Sequence, residues 1–480
     1  MMDKRNWKIL YSKYEGIQKK AIELVSAEVG SIICRDKGVF TLHVLGCEKF
    51  GAEIDRNIIA IGKYEENPIA QSFINKEEIP ENGYFVRVFD NPDNEELKIV
   101  VITAHDDVNV FYGAIDFTDN YLPEATPYRS NALRKRDETF NDKIPDYIKK
   151  SSPKATIRSI FTWGQPINDF RRYIENAARL KFNRIIIWND FLPINSEDIV
   201  DYAHEYGIEI FWGFAWGWTT DCNVTDLNNL NEMKKSVVDN FKKTYLNAKG
   251  DGIYFQSFTE TDLENKDGII IADAVTGFVN SVAEEVFKLS PDIKIQFGLH
   301  ASSVKNNLEF LEKVDERIEI VWEDCGCFPY HYRPETATPE AFEETLEFTE
   351  KIIALRNYGQ TGLVYKGMMT MDWYNFVHQA GPYIMGKSAD ELIKNDIEML
   401  TPMWRYIQTL WLQKAGKYAW EFTRRIYEMV KGDIEVNLAG TLEGGIWYPY
   451  ALCAELMWNA EENFEVIEKR VLNRPWVKLV

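Results

Sequence analysis

The chain has 480 residues, 45% of them hydrophobic and 14% aromatic, and a formal net charge of −20 at pH 7. This composition supports full hydrophobic cores and excludes a disordered chain, and the acidic balance without a Lys/Arg stripe disfavours nucleic acid as a partner. No apolar run approaches the roughly 18 to 20 residues of a membrane span and no signal-peptide core is seen, so we expect a soluble, cytoplasmic protein without a membrane partner.

The first quarter of the chain has the pattern of an α+β domain. Helical periodicity covers residues 14–29 and 108–116. Between them lie five strand-like runs, SIICR (31–35), TLHVL (41–45), NIIAIG (57–62), GYFVRVF (83–89) and LKIVVITAH (97–105). Residues 126–154 are rich in Pro, Ser, Asp and Lys and show little periodicity. The sequence therefore predicts an α+β sandwich over 1–125, a linker over 126–154 and a second domain over 155–480.

The second domain repeats one unit eight times, a β-rich run followed by an amphipathic helix. The runs are ATIRSIFTW (155–163), NRIIIWND (183–190), IEIFWGFAWGW (208–218), DGIYFQSFTE (251–260), IKIQFGLH (293–300), RIEIVWED (317–324), TGLVYKGMMTMDW (361–373) and IEVNLAGTLEGG (434–445). This alternation predicts an α/β fold, a (β/α)8 TIM barrel. The active face of that fold lies at the strand ends, where we expect Trp163, Asp190, Trp216, Glu260, His300, Glu323, Asp372 and Glu443 to converge.

The apolar register of each strand must face the surrounding helices, which assigns the other register to the barrel axis. Arg158 is predicted to face inward on the first strand. The inward residues of the later strands are Tyr254, Gln256, Phe258 and Glu260 on the fourth, Lys294, Gln296, Gly298 and His300 on the fifth, Glu319, Val321 and Glu323 on the sixth, Lys366, Met368, Thr370 and Asp372 on the seventh, and Glu435, Asn437, Ala439, Thr441 and Glu443 on the eighth. Lys294, Glu319, Lys366 and Glu435 are expected to pair as buried charges.

Carboxylates and indoles around one mouth indicate a sugar site. Hydrolysis of a glycosidic bond needs one carboxylic acid to protonate the leaving oxygen and a second carboxylate to activate water or attack the anomeric carbon. Glu260 fits the acid and Glu323 the base or nucleophile. Asp324, Asp262 and Asp372 remain alternates, as does Asp190. Aromatic rings stack against the C–H face of a pyranose, and Trp163, Trp218, Trp373 and Trp447 are candidates for this role.

Three short signatures in the first domain occur in a fixed order, Ile61-Gly62, Gly83-Tyr84 and Tyr112-Gly113. Together they resemble the small accessory domain that precedes the barrel in β-N-acetylhexosaminidases and α-glucuronidases. The resemblance implies a scaffolding domain of the hexosaminidase type, to which we assign no chemistry.

Three barrel segments are similar to the same glycosidases. PKATIRSIFTW resembles a first-strand motif, which implies that Arg158 binds sugar hydroxyls. DGIYFQSFTETD, followed by ADAVTGFVN, resembles the fourth strand of α-glucuronidases, which implies that Glu260 is the general acid. GIWYPYALCAELMWNAEENFEVI resembles their closing segment, with Trp447 and Tyr448 at its start.

The chain also departs from both families. The adjacent Asp-Glu pair of β-hexosaminidases is replaced by Glu260-Thr261-Asp262, which puts substrate-assisted cleavage in doubt. The segment that follows the sixth strand of α-glucuronidases is matched here only at Arg333, so Glu323 and Asp324 are assigned by position. A uronate would need cations, and Arg158, His331, Arg333 and Lys366 are available.

The sequence therefore predicts a glycoside hydrolase that cleaves a terminal sugar, uronic or N-acetylated, from an oligosaccharide, as in polysaccharide degradation. Substrate binding is assigned to Arg158, Trp163, Asp190, Trp218, His300, Arg333, Lys366, Trp373, Trp447 and Tyr448. The alternative is a catalytically degenerate barrel that binds carbohydrate. A homo-oligomer is compatible with the sequence.

The six cysteines are too dispersed for a disulfide framework and are expected to be reduced. Cys325, Cys327 and His331 lie close together, but the spacing lacks a second pair of ligands. A metal-dependent hydrolase would need several inward histidines, and only His300 and His331 are suitably placed. No metal or other cofactor is therefore predicted.

Overall fold

A computed structural model describes residues 7–37, 43–46, 56–125, 145–162, 167–189, 191–217, 226–257, 264–299, 306–323, 338–365, 381–440 and 442–479. The chain forms two compact units. The first contains Met1–Pro153, Glu205–Gly207 and Glu465–Val477, and the second contains Lys154–His204, Ile208–Phe464 and Lys478–Val480. Within the described ranges, none of the helices combines the length and the apolar character that a membrane crossing requires.

The first unit is built on a six-stranded mixed sheet with the order β2-β1-β3-β5-β4-β6. Its strands are β1 (Trp7–Tyr11), β2 (His43–Gly46), β3 (Asn57–Ile61), β4 (Tyr84–Asn91), β5 (Asn94–Ala104) and β6 (Tyr147–Ser151). Its helices are α1 (Gly16–Lys37), α2 (Pro68–Phe73), α3 (Asp107–Asp116) and α4 (Leu122–Ala125). β3 pairs in parallel with both β1 and β5, and its contact with β5 joins the apolar runs Ile58–Ile61 and Ile99–Ile102, as expected for strands whose two faces are both covered.

The first unit differs from the sequence prediction at three places. The run SIICR was expected to be a strand, and that prediction is wrong because α1 continues to Lys37. The β propensity of its two isoleucines is a weak local preference that the continuing helix overrides. The structure also adds β1, and it adds β6 within the range of the predicted linker. β6 is an edge strand that carries Lys149 and Lys150, a composition that protects an exposed edge from further pairing.

The second unit is a closed barrel of eight parallel strands, which confirms the predicted fold class. The barrel strands are β7 (Ile157–Phe161), β8 (Arg184–Trp188), β9 (Glu209–Gly213), β10 (Gly252–Phe255), β13 (Lys294–Leu299), β14 (Ile318–Trp322), β15 (Thr361–Tyr365) and β16 (Ile434–Ala439). A short hairpin, β11 (Asn265–Lys266) and β12 (Ile269–Ile270), follows the fourth barrel strand. Each of the eight predicted runs contains one barrel strand.

Helices follow the barrel strands in the chain. They are α5 (Phe170–Arg179), α6 (Ser196–His204), α7 (Leu227–Asn240), α8 (Ile271–Leu289), α9 (Leu308–Leu311), α10 (Pro339–Ala354), α11 (Asp390–Leu410), α12 (Gly416–Met429) and α13 (Tyr448–Trp458). The last helix, α14 (Phe464–Leu472), belongs to the first unit from Glu465 onward. A π-helical turn, Trp411–Ala415, joins α11 to α12, and the backbone stays right-handed helical across both joints.

The lower part of the barrel interior holds a charged network around Arg184. The Arg184 side chain is 2% exposed and forms ion pairs with Glu209 at 2.8 Å, Glu319 at 3.3 Å and Glu435 at 2.5 Å. Gln296 donates through Nε2 to Glu319 at 2.7 Å and to Glu435 at 2.5 Å. These contacts confirm that Gln296, Glu319 and Glu435 face the barrel axis.

The pairing inside this network differs from the expected one. Lys294 pairs with Glu209 at 2.5 Å, whereas the central cation is Arg184, which was not assigned from the sequence. Lys366 lies outside the described residues. Burial and the neighbouring charge of Glu435 raise the pKa of Glu319 above its ordinary value.

We predict that Arg184→Leu lowers the free energy of unfolding by about 3 to 5 kcal/mol, because it leaves the buried carboxylate of Glu435 and the part-buried carboxylates of Glu209 and Glu319 without their cation. Arg317→Leu is the matched control, since Arg317 also pairs with two carboxylates, Asp315 and Glu284, but its side chain is 50% exposed. The control should unfold at nearly the wild-type urea concentration. Equal urea midpoints for the two variants would contradict the role given to Arg184.

Candidate functional site

Glu323 lies at the C-terminal end of the sixth barrel strand, and its side chain points toward the barrel axis. Its N–H donates to the carbonyl of Leu299 at 2.9 Å, which extends the parallel ladder one residue beyond β14. Trp322 faces outward and contacts Phe348 of α10 with 5.2 Å between ring centroids. Because neighbouring residues of a strand point to opposite sides, Glu323 faces inward, as predicted. It is completely buried.

Two side chains of the fourth barrel strand hold the Glu323 carboxylate. The hydroxyl of Tyr254 and the amide Nε2 of Gln256 both donate to Oε1 of Glu323. Tyr254 and Gln256 are two residues apart, so both face the axis, as the register predicted. Two donors on one carboxylate oxygen fix its orientation and stabilise its negative charge.

The fifth strand lies between the fourth and the sixth strands. It makes this contact possible because it carries a glycine at this level. Gly298 lies beside Val321 of β14, and a Cβ at Gly298 would overlap both the Tyr254 hydroxyl and Oε1 of Glu323. The absence of a side chain on the fifth strand therefore allows Tyr254 to reach across it to Glu323.

Aromatic rings from the first and second strands surround Tyr254. Phe161 of β7 makes an edge contact with the Tyr254 ring at 4.8 Å between centroids, and Trp188 of β8 makes another at 5.7 Å. Gly213 of β9 leaves room for Trp188, since a Cβ there would lie 2.7 Å from the indole. We call Glu323, Tyr254, Gln256, Phe161 and Trp188 the upper cluster. It combines one carboxylate with an aromatic wall.

Buried hydrogen-bond acceptors occur at the ends of the second and fourth strands. Asn189 follows β8, is 6% exposed and donates through Nδ2 to the hydroxyl of Tyr383 at 2.9 Å. Among the residues that the structure describes, Oδ1 of Asn189 and Oε1 of Gln256 have no hydrogen-bond partner. Buried acceptors are normally satisfied, so Oε1 of Gln256, which faces the axis, is suited to a donor of a bound molecule, whereas Asn189 follows the inward Trp188 and lies in the opposite register. Asn189 was not assigned from the sequence, although it directly precedes Asp190, which was.

Several predicted site residues lie outside the described residues. They are Trp163, Asp190, Trp218, Glu260, Asp262, His300, Asp324, Arg333, Lys366, Asp372 and Trp373, together with Cys325, Cys327 and His331. Their assignments remain predictions. In the described part of the chain, no group of three or more His, Cys, Asp or Glu side chains is arranged to hold a metal ion.

The prediction that Arg158 faces the barrel axis is wrong. Its guanidinium donates to the carbonyls of Lys181 at 2.9 Å and Ala155 at 2.8 Å, and it lies 5.1 Å from the ring of Trp458 on α13. The adjacent Ser159 faces inward instead, where its hydroxyl donates to Glu435 at 2.6 Å. Arg158 therefore ties the base of the first strand to nearby loops and to α13, and these contacts do not support a sugar contact.

Three other aromatic candidates pack against the helical layer. Trp216 is stacked at 3.6 Å on Phe255, which belongs to the helix-facing register, so the expectation that Trp216 lies at the active face is wrong. Trp447 contacts Trp404 of α11 at 5.0 Å and is 7% exposed. Tyr448 is completely buried, and its hydroxyl would lie 3.2 Å from a Cβ at Gly416 of α12. These contacts favour a structural role for Trp447 and Tyr448 over the predicted substrate binding.

Glu443 lies beyond the end of the eighth strand, so the strand register that predicted an inward position does not extend to it. β16 ends at Ala439, and Gly440 has a φ of +152°, a backbone conformation that favours glycine. The loop that follows is held by α5, because Tyr173 donates to the carbonyl of Gly440 at 3.0 Å. Oε1 of Glu443 accepts a hydrogen bond from the N–H of Asn168 at 2.8 Å. Burial raises the pKa of Glu443 to about 7.

No family model and no curated protein matches the sequence. The solved structures that match this chain include CpGH84D, a glycoside hydrolase family 84 protein, with 12% identity and a TM-score of 0.43 over 77% of this chain and 57% of that one. This chain thus spans little more than half the length of CpGH84D. D-psicose 3-epimerase from Clostridium cellulolyticum H10, solved with D-tagatose, has 13% identity and a TM-score of 0.32 over 66% of this chain and 96% of that one.

We predict that Gly298→Ala lowers the free energy of unfolding by about 1 to 3 kcal/mol, because the added methyl group displaces Tyr254 and Glu323. Gly277→Ala is the control, since Gly277 lies within α8 and a Cβ there meets no atom within 4 Å. The control should be about 0.5 to 1 kcal/mol more stable than wild type. Urea denaturation measures both, and a stable Gly298→Ala protein would contradict the close approach across the fifth strand.

We predict that Glu443→Gln changes how stability depends on pH. The pKa of Glu443 is raised on folding, so its favourable contribution is complete below its ordinary pKa of 4.5 and is lost as the pH rises through about 7. Across that window the stability of wild type should fall relative to Glu443→Gln by up to about 3 kcal/mol. Glu312→Gln, at an exposed position, should follow the wild type. If the free energy of unfolding varies with pH in the same way for wild type and Glu443→Gln between pH 4 and 8, the raised pKa of Glu443 is refuted.

Proposed function

We propose that the protein is a glycoside hydrolase that cleaves a terminal sugar, uronic or N-acetylated, from an oligosaccharide. The observation that carries the proposal is the Glu323 carboxylate, which points to the barrel axis at the strand end and is held by Tyr254 and Gln256. Charged side chains at this end of a (β/α)8 barrel usually perform the chemistry of the enzyme.

The surroundings of Glu323 suit a carboxylate that activates water or attacks an anomeric carbon. An ionised carboxylate acts in either role only if it is positioned before the reaction, and Tyr254 and Gln256 supply that positioning. The aromatic wall of Phe161, Trp188 and Tyr254 excludes water, which strengthens the electrostatic effect of the carboxylate on a developing oxocarbenium ion.

The proposed acid is Glu260, which the sequence places further along the same strand that carries Tyr254 and Gln256. The two carboxylates would then come from the fourth and the sixth strands, on either side of the glycine-containing fifth. The acceptor Oε1 of Gln256 would receive a hydrogen bond from a sugar hydroxyl. A site with such an acceptor rejects analogues that lack the matching hydroxyl, because the acceptor then stays buried without a donor.

The experiment is turnover of a panel of nitrophenyl glycosides that includes uronides and N-acetylhexosaminides. We predict that Glu323→Gln and Glu260→Gln each lower kcat by at least ~10²-fold while the thermal unfolding curve stays cooperative. Glu312→Gln, an exposed glutamate after α9, should keep wild-type turnover.

Other outcomes distinguish the alternatives. Near-wild-type turnover in Glu323→Gln would reject the role of this residue. Sugar binding by calorimetry without turnover of any glycoside would favour a carbohydrate-binding barrel that has lost catalysis.

A further inference from the structure

One face of α11 carries exposed hydrophobic side chains at a heptad spacing. Leu392, Met399 and Tyr406 are 57%, 72% and 55% exposed, and each lies seven residues from the next. Helical residues at this spacing fall on one face, so the three side chains form a seam about 21 Å long. We call these three residues the α11 seam.

Two further exposed hydrophobic side chains lie near the ends of α11. Ile384, before α11, is 53% exposed, and Leu412, in the π-helical turn after it, is 42% exposed. Thirteen large hydrophobic side chains are exposed among the described residues, and five of them fall within this stretch. Such a concentration is typical of a protein–protein contact, because covering the side chains removes apolar surface from water.

The spacing of the three seam residues is symmetric about Met399. Leu392 and Tyr406 lie seven residues to either side of it. A twofold axis at Met399 would therefore place Leu392 against the partner's Tyr406. A patch that complements itself under a twofold rotation is what a symmetric dimer requires.

The charged side chains of α11 also favour an antiparallel pairing of two copies. Residues 390–398 contain four acidic and one basic side chain, whereas residues 400–408, which a twofold axis at Met399 would place opposite them, contain one basic side chain, Arg405, and no acidic one. Antiparallel pairing therefore sets the acidic half of each helix against a half of weak positive charge, and parallel pairing would place like charges together. In a chain with a net charge of −20, this local attraction opposes the repulsion between two copies.

We propose that the α11 seam is the centre of a homodimer interface in which α11 packs antiparallel on α11 of a second copy of this chain, with Met399 on the twofold axis. The dimer does not depend on the proposed function, and its test needs no substrate.

The first test is sedimentation velocity over a range of protein concentrations. Wild type should form a dimer, and Met399→Glu should raise its Kd by at least about 30-fold, the scale of a central interface residue. The variant should keep its circular dichroism spectrum and melting temperature, because Met399 is exposed. Val466→Glu is the matched control, since Val466 is also an exposed hydrophobic residue on a helix, at 49% exposure, and it should dimerise like wild type. A wild type that stays monomeric, or a Met399→Glu protein that dimerises like wild type, overturns the proposal.

The second test determines the orientation of the helices. Leu392→Cys protein is mixed with Tyr406→Cys protein under mild oxidation, and covalent dimers are counted against wild type treated identically. An antiparallel dimer should form the mixed disulfide at least about tenfold faster than either variant alone, because only that pair brings the two Cα atoms within bonding reach. Faster self-linking of Leu392→Cys would indicate a parallel arrangement and overturn the proposal.

Discussion

The ion pairs of Arg184 are the interaction on which the barrel depends. A closed barrel sends every second side chain of each strand toward the axis, where charge is costly unless it is neutralised. Arg184 reaches Glu209, Glu319 and Glu435 from a single position on the second strand, and so it connects the third, sixth and eighth strands. This contact fixes which register of each of these strands is inward.

The upper cluster follows from the same constraint. Glu323 lies four residues beyond Glu319 on the same strand, so an inward Glu319 makes Glu323 inward as well. The fifth strand also has one inward residue in the lower layer and one in the upper cluster's layer. Gln296 contacts the charged network, and Gly298, two residues later, leaves space beside Glu323. A polar lower layer therefore positions a carboxylate at the strand end, where the proposed chemistry takes place.

Much of the fold could be predicted because the patterns of the strands are local. Each of the eight runs contains a barrel strand, and the alternation in IKIQFGLH and RIEIVWED identified the inward register of the fifth and sixth strands. The alternation fails where both registers are apolar. In NRIIIWND three isoleucines follow Arg184 without a polar residue between them, so the sequence did not indicate which way Arg184 points.

The site was harder to predict than the barrel, because strand ends and long side chains depend on tertiary contacts. Arg158 sits beside Ser159, and a short serine can face a charged interior while the arginine reaches out to backbone carbonyls and Trp458. Glu443 was placed inward on the assumption that the eighth strand continues, but Gly440 ends it. Tyr254 and Gln256 were predicted to face inward, yet their shared contact with Glu323 depends on the glycine of a third strand.

The most direct measurement is a crystal structure of the protein with a bound product sugar or a hydrolysis-resistant glycoside. The account predicts the anomeric carbon about 3 to 3.5 Å from a carboxylate oxygen of Glu323 if that residue is the nucleophile, or one water molecule away if it is the base. A sugar bound elsewhere on the molecule, with Glu323 still covered by Tyr254 and the aromatic wall, would contradict it.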